Sequence, residues 1–308
     1  NIETGLNKII ANTPASESAP QFSPDGSLIS YYCTENPNDW PGAKHAKIYA
    51  IADGKTWRLK ATPNEDGSII GWTADGKNIV WSETNKTMTS IYTLSVDGKN
   101  ITEFSKGEKK YIGAAKINAT HSYLTFTLQN TSEFPELYVS KLNEYAPLKI
   151  TSLNSNLSIL PMGKTELIKW KGADGLEIEG LLTYPINYTA GKKVPLLLNI
   201  HGGPAGNFGQ TCIASNQGTY PLAALSENGY AILRPNPRGS TGYGSNFRMA
   251  NRQDWGGKDY IDLMSGVDQV IKMGVTDESM LGVMGWSYGG FMSSWMVGHT
   301  NRFKAASI

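Results

Sequence analysis

The stretch Gly285-Trp286-Ser287-Tyr288-Gly289-Gly290 sets a serine between glycines where an apolar run meets a helix-like one. This is the G-x-S-x-G arrangement of a nucleophile elbow, which holds a serine hydroxyl out on a turn too sharp for flanking side chains. Alone the pattern is weak, because a chain this rich in glycine and serine yields about 0.3 such matches by chance. Its position gives it weight. Residues 280–284 read as a buried strand and 288–297 as a helix whose amino-terminal dipole would face the serine. The plain alternative is a glycine-rich packing turn with Ser287 as a helix cap.

A second motif, His201-Gly202-Gly203-Pro204, closes the apolar run 194–200. The expected number of chance copies of this tetrapeptide is only about 0.002. Acyl transfer needs two backbone amides aimed at a developing oxyanion. One usually belongs to the residue after the nucleophile, here Tyr288. The other comes from a glycine-rich loop after an earlier strand, here Gly203 or its neighbour Gly202. His201 reads as a residue that shapes this loop, not as a base. The two motifs together point to a serine hydrolase.

These motifs need strand ends to hold them. From about residue 163, strands and helices alternate. A hairpin over 166–182 turns at Ala173-Asp174-Gly175, and strands are expected at 194–200, 231–233, 280–284 and 303–308. Helices are expected at 220–227, 258–273 and 288–297. Tyr260, Leu263, Met264, Val267, Val270 and Ile271 recur at helical spacing on one face. Alternating units of this kind specify an α/β doubly wound, mostly parallel sheet.

The first half repeats instead. Phe22-Ser23-Pro24-Asp25-Gly26 returns as Trp72-Thr73-Ala74-Asp75-Gly76, with a degenerate third copy over 115–119. In a second register, Ile48-Tyr49, Ile91-Tyr92 and Leu137-Tyr138 each begin a strand, and these strands end at Asp53-Gly54, Asp97-Gly98 and Asn143-Glu144. Asp-Gly tolerates the positive φ of hairpin turns, and a repeat of about 45 residues with four strands matches a propeller blade. Three blades do not close a ring of roughly four to eight. The expectation is therefore the last blades of an all-β propeller over 1–155. The N-terminal part of an α/β-hydrolase follows over 156–308, with its C-terminal part missing. An irregular β-sandwich is the competing reading of the first half.

Composition narrows the partners. With 28 Lys+Arg against 27 Asp+Glu and 18% charged residues, the chain lacks the basic excess of a nucleic-acid binder. The run 194–200 is too short to cross a bilayer, so no membrane role is expected. Cys33 and Cys212 are too few for a disulfide framework or a zinc cluster. No phosphate loop or metal-ligand cluster appears, so no cofactor and no metal are expected. Six N-x-S/T sequons, at Asn85, Asn100, Asn118, Asn130, Asn156 and Asn187, do not establish a compartment. Homo-oligomers are left open.

Further segments complete a pattern: Asn236-Pro237-Arg238-Gly239-Ser240-Thr241-Gly242-Tyr243-Gly244, and then Asp254-Trp255-Gly256-Gly257. With the two motifs above and the preceding repeats, the chain resembles the prolyl oligopeptidase family of serine peptidases over nearly its whole length. The acylaminoacyl-peptidase or dipeptidyl-peptidase-like branch is the nearest in pattern. The resemblance implies a hydrolase domain capped by a propeller that restricts access to short peptide substrates. It also implies Ser287 as nucleophile, the Gly203 and Tyr288 amides as oxyanion hole, and Trp286 beside the pocket for the residue preceding the scissile bond.

A serine triad also needs a base and an acid, which in α/β-hydrolases follow the serine. After Ser287 the chain holds no Asp or Glu and one histidine, His299. His299 lies at the far end of the same helix, ~18 Å away at 1.5 Å per residue. His45 and His121 sit in the repeats and read as structural. The family pattern places acid and histidine beyond position 308, so Asn1 and Ile308 read as cut ends. The chain alone is expected to be inactive and, with an exposed final strand, to aggregate. Two rival readings stand beside the peptidase: a carboxylesterase-type hydrolase, and a non-catalytic propeller interaction protein with a degenerate hydrolase domain.

Overall fold

The computed structural model describes residues 3–34, 42–157, 161–215 and 218–308. Asn1, where the expected propeller portion starts, lies outside the described residues.

Three four-stranded antiparallel sheets come first, each built from chain neighbours. The first holds β1 (Glu17–Phe22), β2 (Leu28–Thr34), β3 (Lys44–Ala50) and β4 (Thr56–Arg58). The second holds β5 (Gly67–Trp72), β6 (Asn78–Asn85), β7 (Met88–Ser95) and β8 (Ile101–Glu103). The third holds β9 (Tyr111–Ile117), β10 (Tyr123–Gln129), β11 (Glu136–Lys141) and β12 (Glu144–Lys149).

One turn chemistry recurs through these sheets. Ser23, Thr73 and Ser95 each donate a hydroxyl hydrogen bond to the aspartate two residues on, at 2.6, 2.7 and 2.6 Å. The same aspartate accepts the amide of the residue two further along, Ser27, Lys77 or Lys99, at 3.0 Å. An Asx-type turn therefore closes β1–β2, β5–β6 and β7–β8. In the degenerate third copy Asn118 accepts the Tyr123 amide at 3.0 Å, and His121 takes the glycine's place at φ 53°. The strands around Ile48, Ile91 and Leu137 begin earlier than expected, at Lys44, Met88 and Glu136. Polar residues join there because the ladder is made by backbone groups: Cys33 faces His45 and Glu83 faces Ser90.

Apolar side chains join these sheets in series. Ile48, Ile69, Trp72, Ile79, Trp81 and Leu94 pack the first onto the second. Val80 and Ile91 meet Ile112, Leu124, Phe126 and Leu128 of the third. Each such side chain contributes about 1.5–3 kcal/mol when fully buried.

The last sheet has six strands in the order β13-β14-β16-β15-β17-β18. These are β13 (Thr165–Lys171), β14 (Glu177–Thr183), β15 (Leu196–Ile200), β16 (Ala231–Asn236), β17 (Leu281–Gly285) and β18 (Ala305–Ser307). The β13–β14 and β14–β16 pairs are antiparallel, and the rest are parallel. The connecting helices are α1 (Leu222–Glu227), α2 (Ser245–Met249), α3 (Lys258–Lys272) and α4 (Tyr288–His299). The first helix starts two residues later than expected, with Pro221 immediately before it, where a missing amide costs nothing. One face of the sheet packs under α3 and α4 through Leu198, Leu233, Leu263, Val267, Val270 and Met292. Ile213, Leu222, Ile232 and Met284 fill the other face.

Candidate active site

Strand β17 ends at Gly285 and α4 starts at Tyr288, so the whole turn rests on Trp286 and Ser287. Ser287 takes φ 59° and ψ −121°, a backbone region that costs a side-chain-bearing residue about 1–3 kcal/mol. Only glycines fit on both sides. A Cβ on Gly285 would lie 2.3 Å from the Gly289 carbonyl oxygen, and one on Gly289 would lie 2.1 Å from the Ile200 carbonyl oxygen. The close approach seats the first turn of α4 on the end of β15. Tyr220 locks the strand end from the other face, its hydroxyl donating to Gly285 O at 3.0 Å. Ser287 is left exposed, beside Trp286 at 65% exposure.

The loop after β15 comes to the same place. A Cβ on Gly202 would lie 3.3 Å from Ser287 Cβ and 3.8 Å from its Oγ, so this loop faces the serine directly. Gly203 takes φ 131°, where an added Cβ would lie 2.4 Å from the Ala205 amide nitrogen. The Tyr288 amide is the first of α4, one of the donors that a helix start leaves without an intrahelical acceptor. Ser287, the Gly202–Gly203 loop and the start of α4 thus converge.

His201 is buried behind this loop. Its Nδ1 lies 2.8 Å from Gly202 O, and its Nε2 lies 3.0 Å from Ser240 Oγ. Burial pulls its pKa down to about 4, so the ring is neutral at neutral pH. A neutral ring that donates from Nδ1 to Gly202 leaves Nε2 an acceptor facing the Ser240 hydroxyl, whose single proton also has Pro237 O within reach at 2.7 Å. Both nitrogens thus face groups of the loop and its backing segment. The ring also meets Phe208 edge-on at 5.3 Å, and the Arg234 guanidinium lies over that same Phe208 ring at 5.8 Å. Arg234 is buried, and its Nε and Nη2 have no partner among the described residues. Burial lowers its pKa to about 10, which leaves it a cation.

Charged side chains stiffen the surroundings. The Tyr288 side chain turns away from the site and donates its hydroxyl to Asp259. Asp259 also accepts the Gly256 and Tyr260 amides at 2.9 and 2.8 Å. Burial raises the Asp259 carboxyl, and burial with the nearby carboxylate raises the Tyr288 phenol, which stays protonated. Arg238 grips Asp262 twice, at 2.7 and 3.0 Å, and donates to Ala173 O at 2.8 Å. The paired carboxylate holds the Arg238 guanidinium above its ordinary range.

The four histidines of the chain are all engaged away from Ser287. His45 is buried in β3, 3.7 Å from Glu65, and His121 Nδ1 lies 2.9 Å from Trp72 O. His299 Nδ1 lies 2.7 Å from Trp295 O, with its ring stacked on the indole at 3.8 Å. Sequence reasoning missed Ser240 as the partner of His201, the Tyr288–Asp259 contact, and Arg248 of α2. The Asp254-Trp255-Gly256-Gly257 run lies beside the second, its Gly256 amide donating to Asp259, but contains neither partner. Nothing local signals Arg248, whose partners include carbonyls and the Asp66 carboxylate more than 180 residues away.

A family model described as the prolyl oligopeptidase family matches residues 217–308. Over 237 residues the chain is 36% identical to "Uncharacterized peptidase YuxL" of Bacillus subtilis, covering 76% of this chain and 35% of that protein. Over 293 residues it is 25% identical to a dipeptidyl-peptidase 5 of Porphyromonas gingivalis, covering 94% of this chain and 41% of that protein. The chain thus spans less than half the length of these curated relatives. Among solved structures, an acylaminoacyl peptidase of Pyrococcus horikoshii superposes with TM-score 0.60 at 20% identity, covering 95% of this chain and 52% of that one. A puromycin-hydrolyzing peptidase of Mycobacterium tuberculosis superposes with TM-score 0.67 at 16% identity, covering 95% and 53%. The arrangement of antiparallel sheets followed by a mixed α/β sheet is shared with these structures.

Proposed function

Because this chain belongs to the prolyl oligopeptidase family over the stretch that matches it, we propose that Ser287 is the nucleophile of a serine peptidase acting on short peptides. The observation that carries the proposal is the convergence at Ser287 of a strained elbow, the Gly202–Gly203 loop and the first amide of α4. In this reading residues 1–155 are consecutive blades of a propeller. Residues 156–308 are the first part of a doubly wound α/β-hydrolase domain. Ser287 Oγ attacks the scissile carbonyl carbon while its proton passes to a base. The tetrahedral oxyanion takes hydrogen bonds from the Gly203 and Tyr288 amides, worth about a hundred- to a thousandfold in rate for each donor. The C–N bond then breaks, the leaving amine takes the proton, and water hydrolyses the ester on Ser287. Trp286, exposed beside the serine, walls the pocket for the residue preceding the scissile bond.

None of the four histidines is free to serve as that base, so the 308-residue chain alone does not turn over substrate. The full-length protein carries the activity. The test is fluorophosphonate labelling of the full-length protein: the adduct maps to Ser287 and disappears in Ser287→Ala. A full-length protein that leaves Ser287 unlabelled sinks the proposal. A carboxylesterase would share the elbow and the loop, and comparing a peptide anilide with a simple ester separates the two.

A further inference from the structure

Two contacts tie the four-stranded sheets to the segment that backs the candidate oxyanion loop. The first is Arg248, 1% exposed. Its Nη1 donates to Asn64 O at 2.9 Å, and its Nη2 donates to Gly42 O and Glu65 O at 3.2 Å each. The receiving loop is itself fixed from beneath. Buried Glu83 accepts the Thr62 hydroxyl and the Asn64 and Asp66 amides, the last two at 3.3 and 3.1 Å. The second contact is the β6–β7 turn. The Lys86 amide donates to Gly242 O at 2.7 Å, and Asn207 Nδ2 donates to both Lys86 O and Thr241 O, at 2.9 and 3.0 Å.

Between these two grips the contacts run unbroken to Ser287. Phe247, next to Arg248, accepts the Gly239 amide on its carbonyl at 2.9 Å. Ser240 follows Gly239 and lies 3.0 Å from His201 Nε2, whose Nδ1 lies 2.8 Å from Gly202 O. The Thr241 amide donates to Gly206 O at 2.9 Å, and Gly202 faces Ser287. Both ends of the loop 201–206 are thereby held by a segment that the four-stranded sheets hold.

We propose that Arg248 and the Lys86 turn are positioning elements through which the four-stranded sheets set the His201–Gly206 loop against Ser287. Neither touches a reacting atom. The catalytic consequence rests on the peptidase reading, while the structural one does not.

The experiment is hydrogen–deuterium exchange on the full-length protein, read beside the kinetics of a peptide anilide, for wild type, Arg248→Met, Arg248→Lys and Asn207→Ala. In Arg248→Met, the amides of 201–206 and 239–242 exchange about tenfold faster. The constant kcat falls about ten- to a hundredfold with KM within about twofold, because a misplaced oxyanion loop is felt in the transition state. Arg248→Lys restores part of both. Asn207→Ala, a milder change, moves 201–206 in the same direction if Arg248→Met fails to fold. Faster exchange confined to 42–66 and 244–250, with 201–206 unchanged, overturns the inference. A rise in KM alone also overturns it. If the wild type has no peptidase activity the peptidase reading fails, and the exchange data still decide the coupling.

Discussion

The turns of the four-stranded sheets hold their aspartates at the surface, on partners two residues away. Helix α3, packed on the mixed sheet, holds Asp262 in the interior, on partners that the chain brings from far off. Beside it, Asp259 adds the distant Tyr288 hydroxyl to its own neighbours' amides. Asp75 is exposed and bonds Thr73 and Lys77. Asp262 is fully buried and bonds Arg238 and the Ala173 amide, 24 and 89 residues away. Local bonds of the first kind form with the turn and can repeat down a chain. Bonds of the second kind exist only once the domain is assembled, and they fix loops that no single element specifies. The candidate site joins a local elbow to a loop held by the second kind, His201 meeting Ser240 from 39 residues away.

The largest consequence is energetic. Asp262→Ala leaves the buried Arg238 guanidinium with only the exposed Asp174 carboxylate, 3.5 Å away, as counter-charge and should cost about 3 kcal/mol, whereas Asp75→Ala should cost about 1 kcal/mol or less. Urea midpoints of the two variants measure the gap. Equal losses would dissolve the distinction between the regions.

Glycines sharpen it next. Gly289→Ala drives a methyl into the Ile200 carbonyl, a backbone atom that α4 cannot avoid without leaving β15, at a cost of about 3 kcal/mol. In β9, Gly113→Ala meets only the Thr127 hydroxyl, 2.9 Å away on a side chain that can rotate, so the cost stays below about 1 kcal/mol. Thermal melts of both variants compare a methyl meeting backbone with one meeting a mobile side chain.

The same contrast governs what was legible beforehand. The strand-turn repeats, the α/β alternation and the Gly285–Gly290 elbow are written in neighbouring residues, so periodicity and glycine placement reveal them. His201 could be read as a loop-shaping residue from its motif, but its partner Ser240 could not, because the fold alone brings the two together. Arg248 and Arg234 carry no local signal at all. Polar residues such as Lys44 and Ser90 lengthen strands whose apolar pattern starts later, so that pattern alone marks the strand starts too late. Position 121 shows a histidine doing a glycine's job, which a motif search reads as a lost repeat.

Acid should take the two regions apart in order. His201 has its pKa lowered from 6.5 to about 4 by burial, so the unfolded chain binds a proton that the native state refuses between those values. Stability therefore falls as pH drops from 6.5 towards 4, by roughly 3 kcal/mol in the limit. The turn aspartates, Asp25 lowered to about 2 and Asp53, Asp75 and Asp97 lowered with it, favour the native state until pH falls below about 4. Urea midpoints between pH 7 and 4 should slope downward in the wild type and flatten in His201→Gln. An unchanged slope in the variant would assign the acid sensitivity elsewhere.

The smallest effect concerns backbone strain itself. Ser287 and Ala114 both hold positive φ, at 59° and 48°, one at the elbow and the other in β9. Replacing either with glycine removes the Cβ clash but gives the unfolded chain more freedom, worth about 0.4–1 kcal/mol against folding. Ser287 also carries ψ −121°, which lies outside even the left-handed helical basin, so its relief of about 1–3 kcal/mol should exceed that entropy. Ser287→Gly should then be more stable than Ser287→Ala by about 1 kcal/mol, while Ala114→Gly should be close to neutral. The difference would mean that the elbow holds its serine against the preference of its own backbone. That is the expected state of a residue kept for its hydroxyl, since a turn selected for stability alone would carry glycine there. Matching gains at both positions would reduce Ser287 to one more left-handed turn residue and remove strain from the case for its role.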